Sequence, residues 1–242
     1  MSRVSIVIPA LNEATSLGRT LRLLGALDPP AHEILVVDGG SGDGTVAVAR
    51  AFGVRVLESP RGRARQMNWG AEVATGDILC FLHADTLVPD DCVEIIMRTL
   101  ANPNTACGGF VSLMAGSETT RWGISLHNYL KTYYAPLLFR PRLFFKGLRL
   151  LFGDQVIFCR RSQFLECGGF DPQMVILEEA DLCLKLVRFG HIRQVNRVVQ
   201  SSDRRVARWG ALKATAIYMY IGLLWGFGAS PTYLKRFYAD IR

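Results

Sequence analysis

An α/β fold, with a mostly parallel central sheet flanked by helices, is the architecture this sequence predicts. Three features carry it. Short apolar runs alternate with stretches of helical periodicity through residues 1–100. Those runs are nearly unbroken Val, Ile and Leu rather than alternating apolar and polar, the mark of parallel strands buried on both faces. Two of them deliver an aspartate, Asp38 and Asp85, to a polar turn, and open α/β sheets bind ligands there, outside the carboxyl ends of their strands.

Val4 to Ile8 is the first expected strand, and Ala14 to Leu27 is the helix that follows it. Ile34 to Val37, Val54 to Leu57 and Ile78 to Leu82 are the next strands, with the helical periods of Thr45 to Phe52 and Arg63 to Ala74 between them. Glycine-rich turns close the strands, and Asp43 or Thr45 stands where a helix cap belongs. Beyond residue 100 the pattern is less regular. A strand from Ala106 to Leu113, an amphipathic helix from Thr120 to Tyr134, a proline-broken basic stretch from Ala135 to Gly153 and a strand from Gln155 to Cys159 are expected in turn. Gly168-Gly169-Phe170-Asp171 marks a loop, and Glu178 to Phe189 reads as helix. The expected division is one domain over residues 1–205, with a nucleotide-binding half at 1–100 and a second half at 101–205, then C-terminal amphipathic helices in 206–242.

At 242 residues and 50% hydrophobic, the chain has material for a large core. Its six cysteines are scattered through apolar segments without a C-x-x-C pair and read as reduced core thiols. Met1 to Pro9 lacks a small-residue cleavage site and reads as a strand rather than a signal peptide, so a cytoplasmic chain is expected. The net charge of +7 is unevenly spread: no acid stands between Glu118 and Asp154, while Arg121, Lys131, Arg140, Arg142, Lys146 and Arg149 are interleaved with Tyr133, Tyr134, Phe139, Phe144, Phe145 and Phe152. That mixture suits peripheral attachment at the inner face of the cytoplasmic membrane, and it also suits a solvated basic face over core aromatics. Nucleic acid is not expected as a partner, since no recognised nucleic-acid motif accompanies the charge. Ala214 to Leu234 carries no formal charge and has the length of a membrane span, but Thr215, Gly222, Gly226, Gly228 and Pro231 speak against one. The expectation is a helix lying on the membrane, with a true span and packing on the domain or on a second subunit as the alternatives.

Five segments in order resemble the motifs of family 2 glycosyltransferases of the GT-A fold. They are Val4-Ser-Ile-Val-Ile-Pro-Ala-Leu-Asn-Glu13, Val36-Val-Asp-Gly-Gly-Ser-Gly-Asp-Gly-Thr45, Gly62-Arg-Ala-Arg-Gln-Met-Asn68, Gly76-Asp77 through His83-Ala-Asp85, and Leu177-Glu-Glu-Ala-Asp-Leu182. More narrowly, Phe81-Leu-His-Ala-Asp-Thr86 with Phe152-Gly-Asp-Gln155 is similar to a bacterial subgroup of small members named for arsenosugar biosynthesis.

The resemblance implies transfer of a sugar from a nucleoside-diphosphate donor, UDP favoured, to a small-molecule or lipid-linked hydroxyl acceptor. The leaving diphosphate needs a countercharge, which the resemblance assigns to Mg²⁺ or Mn²⁺ held by Asp85, the last acid of the family's Asp-x-Asp motif. His83 replaces that motif's first acid and is expected as a ribose or neighbouring contact, because hard cations favour oxygen. Asp38 matches the position that contacts the base or ribose, beside a wall of Pro9, Ala10, Asn12 and Glu13; alternatively it satisfies the Gly39 to Gly44 turn. The family's second acid there is Gly39 in this chain. Gly40 and Ala84 complete the expected donor contacts.

Arg61, Arg63 and Arg65 precede a helix, where arginine forks and backbone amides bind phosphate; Arg65 and then Arg63 are the choices, with Asn68 and Gln66 shaping the helix start. The general base that takes the acceptor's proton maps to Glu179, with Glu178 beside it and Asp181 two residues on. Asp154 is a further acceptor contact, with Gln155 next to it. The downstream Arg205-Val-Ala-Arg208-Trp209 differs from the Gln-x-x-Arg-Trp of processive synthases, so a single transfer is expected, and Ser202, Arg204 and Arg205 are a late route to the donor phosphates. Two rival classes are a nucleotidyltransferase of similar fold, whose Gly-rich, Lys-containing signature the first turn lacks, and a non-catalytic nucleotide-binding protein of the membrane surface.

Overall fold

The computed structural model describes residues 2–116, 119–174 and 176–237, apart from the Arg205 side chain. One seven-stranded sheet runs through the molecule in the order β3-β2-β1-β4-β6-β5-β7. The strands are β1 (Val4–Ala10), β2 (Glu33–Asp38), β3 (Arg55–Glu58), β4 (Ile78–Phe81), β5 (Thr105–Ala115), β6 (Ile157–Arg160) and β7 (His191–Ser202). β6 is antiparallel to both β4 and β5, β7 is parallel to β5, and the β1–β4 set is parallel throughout, so only β6 runs against the rest. One edge of the sheet therefore collects six carboxyl ends and the amino end of β6.

Helices α1 (Ala14–Leu24), α2 (Thr45–Ala51) and α3 (Arg63–Val73) join the first strands, as the periodicity predicts. They cover the two faces. Leu17, Leu21 and Leu24 of α1 pack on Ile6, Ile8 and Val36 on one side. Ala64, Met67 and Ala71 of α3 pack on Val7, Leu35 and Val37 on the other. Burial on both faces is what the unbroken Val/Ile/Leu runs require. The five cysteines of these cores are free thiols, and Cys167, also free, is partly buried.

The second half departs from the expectations in instructive places. Helix α4 (Cys92–Ala101) and the twelve-residue β7 were not anticipated. β7 lies at the sheet edge with Arg193, Arg197 and Gln194 on its sequence and two register shifts against β5, so its apolar spacing is broken. Helix α5 (Trp122–Phe139) does not stop at the expected Tyr134 but runs through Pro136. Pro136 has no N–H to give the Thr132 carbonyl, and the Leu150 amide donates to that carbonyl instead at 3.2 Å. After the short α6 (Pro141–Phe145), a 3₁₀ turn (Gly153–Gln155) leads into β6, then α7 (Arg161–Glu166) and α8 (Glu178–Leu186).

The tail forms α9 (Arg204–Trp209), α10 (Ala211–Gly226) and α11 (Pro231–Leu234). The amphipathic pattern expected of it is not what α10 shows: apolar residues surround the helix, with Ala214 and Ile221 buried and Leu212, Met219 and Leu223 exposed. α10 packs on α5, and Ile221 and Leu234 meet Ile176 in the loop before α8. Among the described residues no helix is long and apolar enough to cross a membrane.

Candidate active site

A cavity of about 840 Å³ opens at the edge where the carboxyl ends collect. The β1 end contributes Pro9, Ala10 and Glu13, the start of α3 contributes Arg61 to Gln66, and the segment after β4 contributes His83, Ala84 and Asp85. Asp154 follows from the 3₁₀ turn, Glu178 and Glu179 from the start of α8, and Ser202 and Arg204 from the end of β7. The two residues on which the sequence reading depends most, Asp85 and Glu179, thus line one cavity.

Arg204 draws two carboxylates together. Its Nη2 donates to Asp85 Oδ2 at 2.7 Å and to both Glu13 oxygens at 2.9 Å. Asp85 and Glu13 therefore already converge on one positive centre, and their oxygens have the hard-ligand chemistry of a divalent cation site. Among the described residues no group of three or more His, Cys, Asp or Glu side chains could hold a metal, so a cation here needs oxygens from a ligand as well. That is the ordinary habit of Mg²⁺, which is bound by one or two carboxylates plus phosphate.

Close to His83 stand two buried acids, with Glu178 1% and Glu179 5% exposed. Arg63 Nε lies 2.7 Å from Glu178 Oε1, while its Nη1 is 3.7 Å from Glu179 Oε1. His83 Nε2 is 3.8 Å from the same Glu179 oxygen. Burial raises the Glu178 carboxyl above its ordinary value despite Arg63, and the neighbouring Glu179 charge adds to the rise. Burial also raises Glu179, but Arg63 and His83 together outweigh it and hold this carboxyl below its ordinary value. The environments push the adjacent pair apart, Glu178 upward and Glu179 downward. Gly153 permits the approach: a Cβ there would run into Glu179 Oε1 and His83 Nε2.

Backbone strain gathers here. The non-glycine residues with positive φ among the described residues are Asn12, Val156 and Leu177, at 55°, 51° and 64°. They adjoin Glu13, Gln155 and Glu178 respectively, and such conformations persist only where surrounding structure enforces them.

Other expected residues fall outside this cavity. Both Asp38 oxygens are spent on its own turn, accepting from Gly40 N and Ser41 N at 3.0 Å and from Ser41 Oγ at 2.5 Å. Asn12 Oδ1 accepts from Gly42 N, so Asn12, Asp38 and Gly40 form one knot beside the cavity. Asn68 clamps the Phe170 backbone from both sides, at 2.8 and 2.9 Å. Gln155 is fully buried between Phe152 N and Thr132 Oγ1, and Asp181 pairs with Lys185 at 2.8 Å. Asn68, Gln155 and Asp181 thus act on the frame of the site. Arg205 lies in α9 with its side chain outside the described residues.

The structure adds roles that the sequence does not announce. Gln66 Nε2 donates to Ala10 O and Val37 O at 2.8 Å, tying the ends of β1 and β2. A Cβ at Gly39 would lie 3.0 Å from that amide, so Gln66 fills the space a second acid would need. On α5, Asn128 Nδ2 donates to Asp154 Oδ2 at 3.0 Å, and Lys131 Nζ sits 3.7 Å from the centre of the Phe152 ring. Burial lowers the Lys131 ammonium to about 8, with Asp154 opposing the shift. An asparagine and a lysine one helical turn apart were the available signal.

Comparison with known proteins agrees with this fold. The pre-mycofactocin glycosyltransferase of Mycobacterium tuberculosis is 29% identical over 223 residues, covering 87% of this chain but 45% of that protein, so this chain spans less than half its length. The PGL/p-HBAD biosynthesis glycosyltransferase of Mycobacterium bovis is 27% identical over 221 residues, covering 88% and 80% of the two chains. Among solved structures, M. tuberculosis glucosyl-3-phosphoglycerate synthase with Mn²⁺, UDP and phosphoglyceric acid superposes with a TM-score of 0.67 at 21% identity over 95% of this chain and 80% of that one. A Pyrobaculum calidifontis mannosyltransferase with GDP-Man and Mn²⁺ gives 0.68 at 22% identity, over 93% and 63%. The model of glycosyl transferase family 2 matches residues 5–168, and the chain belongs to that family.

Proposed function

We propose that this chain is an inverting, metal-dependent glycosyltransferase that moves one sugar from a nucleoside-diphosphate donor to a hydroxyl acceptor without chain extension. The observation that carries the reading is the shared cavity of Asp85 and Glu179. UDP is the donor nucleotide we favour, since the synthase of similar fold holds UDP. Asp38 and Gly40, with Asn12, shape the base end, and the first turn of α3 with Arg65 meets the diphosphate, since the opening amides of a helix have no partner within it. Asp85, with Glu13 beside it, would hold Mg²⁺ or Mn²⁺ together with diphosphate oxygens. When bound, such an ion supplies positive charge that offsets the charge growing on the leaving group.

Glu179 takes the proton from the acceptor hydroxyl as its oxygen bonds to the anomeric carbon. The bond from that carbon to the diphosphate oxygen breaks, and its electron pair leaves with the nucleotide. Arg63 and His83 keep Glu179 ionised for this task, and Asp154 with Asn128 orients the acceptor. The site of action we assign is the inner membrane surface: Phe145 is exposed among the exposed Arg140, Arg142 and Lys146, a mixture of an apolar anchor and cations that suits anionic lipid, and Trp122 and Leu126 are exposed toward the other end of α5. The test is turnover of UDP-sugars with and without Mn²⁺. Release of UDP that requires the metal and is lost in Glu179→Gln supports the reading, and release indifferent to both contradicts it.

A further inference from the structure

The cavity has two unlike halves. Carboxylates, arginines and His83 line the side formed by the sheet edge and α8, whereas the side formed by the helical wall carries Leu138 and Phe139 of α5 with Met219, Ile221, Leu223 and Trp225 of α10. Three of these wall residues face outward as well as inward: Leu138 is 66%, Met219 48% and Leu223 47% exposed. The apolar half therefore continues over its rim onto the outer apolar faces of α5 and α10, where Leu126, Leu130 and Tyr220 are also exposed. Gly222, in the same wall, has nothing within 4 Å of where a Cβ would stand, so there is open space at this point of the wall. At the boundary between the halves, Lys131 and Asn128 meet Asp154, which puts the polar groups of α5 at the inner end of the apolar track.

A donor sugar nucleotide has no hydrocarbon chain to run along such a wall. We propose that the acceptor is an amphiphile, a hydroxyl compound whose head lies between Asp154 and Glu179 and whose hydrocarbon portion runs along α5 and α10 and out over Leu138, Met219 and Leu223. The proposal rests on the glycosyltransferase reading and narrows it to one substrate class. The outward continuation of the track explains why α10 is apolar around its circumference: one side closes the fold against α5, and the other meets the hydrocarbon of the acceptor and the phase that supplies it.

The experiment uses the full chain and butyl, hexyl and octyl β-D-glucoside below their micelle concentrations, with binding measured calorimetrically in the presence of UDP and Mn²⁺. Affinity is expected to tighten by roughly twofold to fourfold per added methylene, the range for apolar groups passing from water into partial or full burial. Gly222→Phe should abolish that dependence by filling the track, and it replaces a helix-interior glycine with a better helix former, which circular dichroism checks. Affinity that does not change with chain length overturns the proposal. Equal chain-length dependence in wild type and Gly222→Phe overturns it too, since the alkyl chain then binds elsewhere on the apolar surface. The rise in melting temperature with UDP and Mn²⁺ in the same samples reports on the glycosyltransferase reading separately.

Discussion

The sheet edge and the helical wall enclose the same cavity by opposite means. On the sheet edge polar groups are tied to one another: Gln66 bridges β1 and β2, Asp38 holds its own turn, and Arg204 joins Glu13 to Asp85. The helical wall is mostly apolar, with Asn128 and Lys131 at its inner end, and much of it is exposed. A fixed polar lattice is preorganised for a ligand of constant chemistry, such as a diphosphate and its cation, because little rearrangement is left to do on binding. An apolar surface discriminates by shape and area, and it can change between relatives without disturbing the lattice. On the proposed reading, the donor side is thus the conservative construction and the acceptor side the adaptable one.

That contrast can be broken by substitution. The largest effect is expected at the junction: Glu179→Gln should lower kcat by about 10²- to 10⁴-fold, the usual range for losing a general base, with nucleotide affinity intact. A parallel fall in nucleotide affinity would mean that Glu179 belongs to the donor lattice instead. Next, Gln66→Leu leaves Val37 O without its side-chain partner deep in the lattice and should cost about 1–3 kcal/mol in denaturant unfolding. An unchanged midpoint would show that the lattice does not depend on this bridge.

On the wall, Lys131 gives a pH signature. The unfolded chain keeps that proton up to the ordinary lysine range, while the folded protein releases it near 8. The unfolded state therefore binds more protons between those values, and wild-type stability rises with pH across that window. Lys131→Met removes the penalty, so the variant should be more stable by something on the order of 2 kcal/mol below pH 8, with the advantage fading as pH approaches 10. A pH-independent difference would mean that the ammonium is already solvated. The smallest effect is expected for Arg204→Ala. Its side chain is 36% exposed, so uncovering Asp85 and Glu13 should cost only about 1 kcal/mol, and Mn²⁺ should recover it. Melting curves with and without the ion decide this.

The same contrast governs what could be read from the sequence. β1 to β4 and α1 to α3 declared themselves because each pattern has one period and one burial environment. That Asp85 and Glu179 line one cavity was legible because their motifs stand in order along the chain. β7 was not legible: it is an edge strand with cations on its sequence and irregular register. α5 ran past its expected end because the carbonyl freed by Pro136 is satisfied by Leu150, a residue from a different segment. Asn68 and Gln155 looked like ligand contacts because an amide in a motif carries no label telling whether its partner is a ligand or the backbone of a distant loop. The role of α10 as a cavity wall depends on tertiary packing, which its uniform apolar composition does not announce.

The central claim is that Asp85 serves the donor's cation and Glu179 serves the acceptor within one cavity. The most direct measurement is the melting temperature of wild type, Asp85→Ala and Glu179→Gln with UDP, with and without Mn²⁺, because a ligand that binds only the folded form raises it. A rise that needs Mn²⁺ in wild type and Glu179→Gln, and is missing in Asp85→Ala, is the predicted result. An equal rise in all three proteins, or one that ignores Mn²⁺, would contradict the assignment.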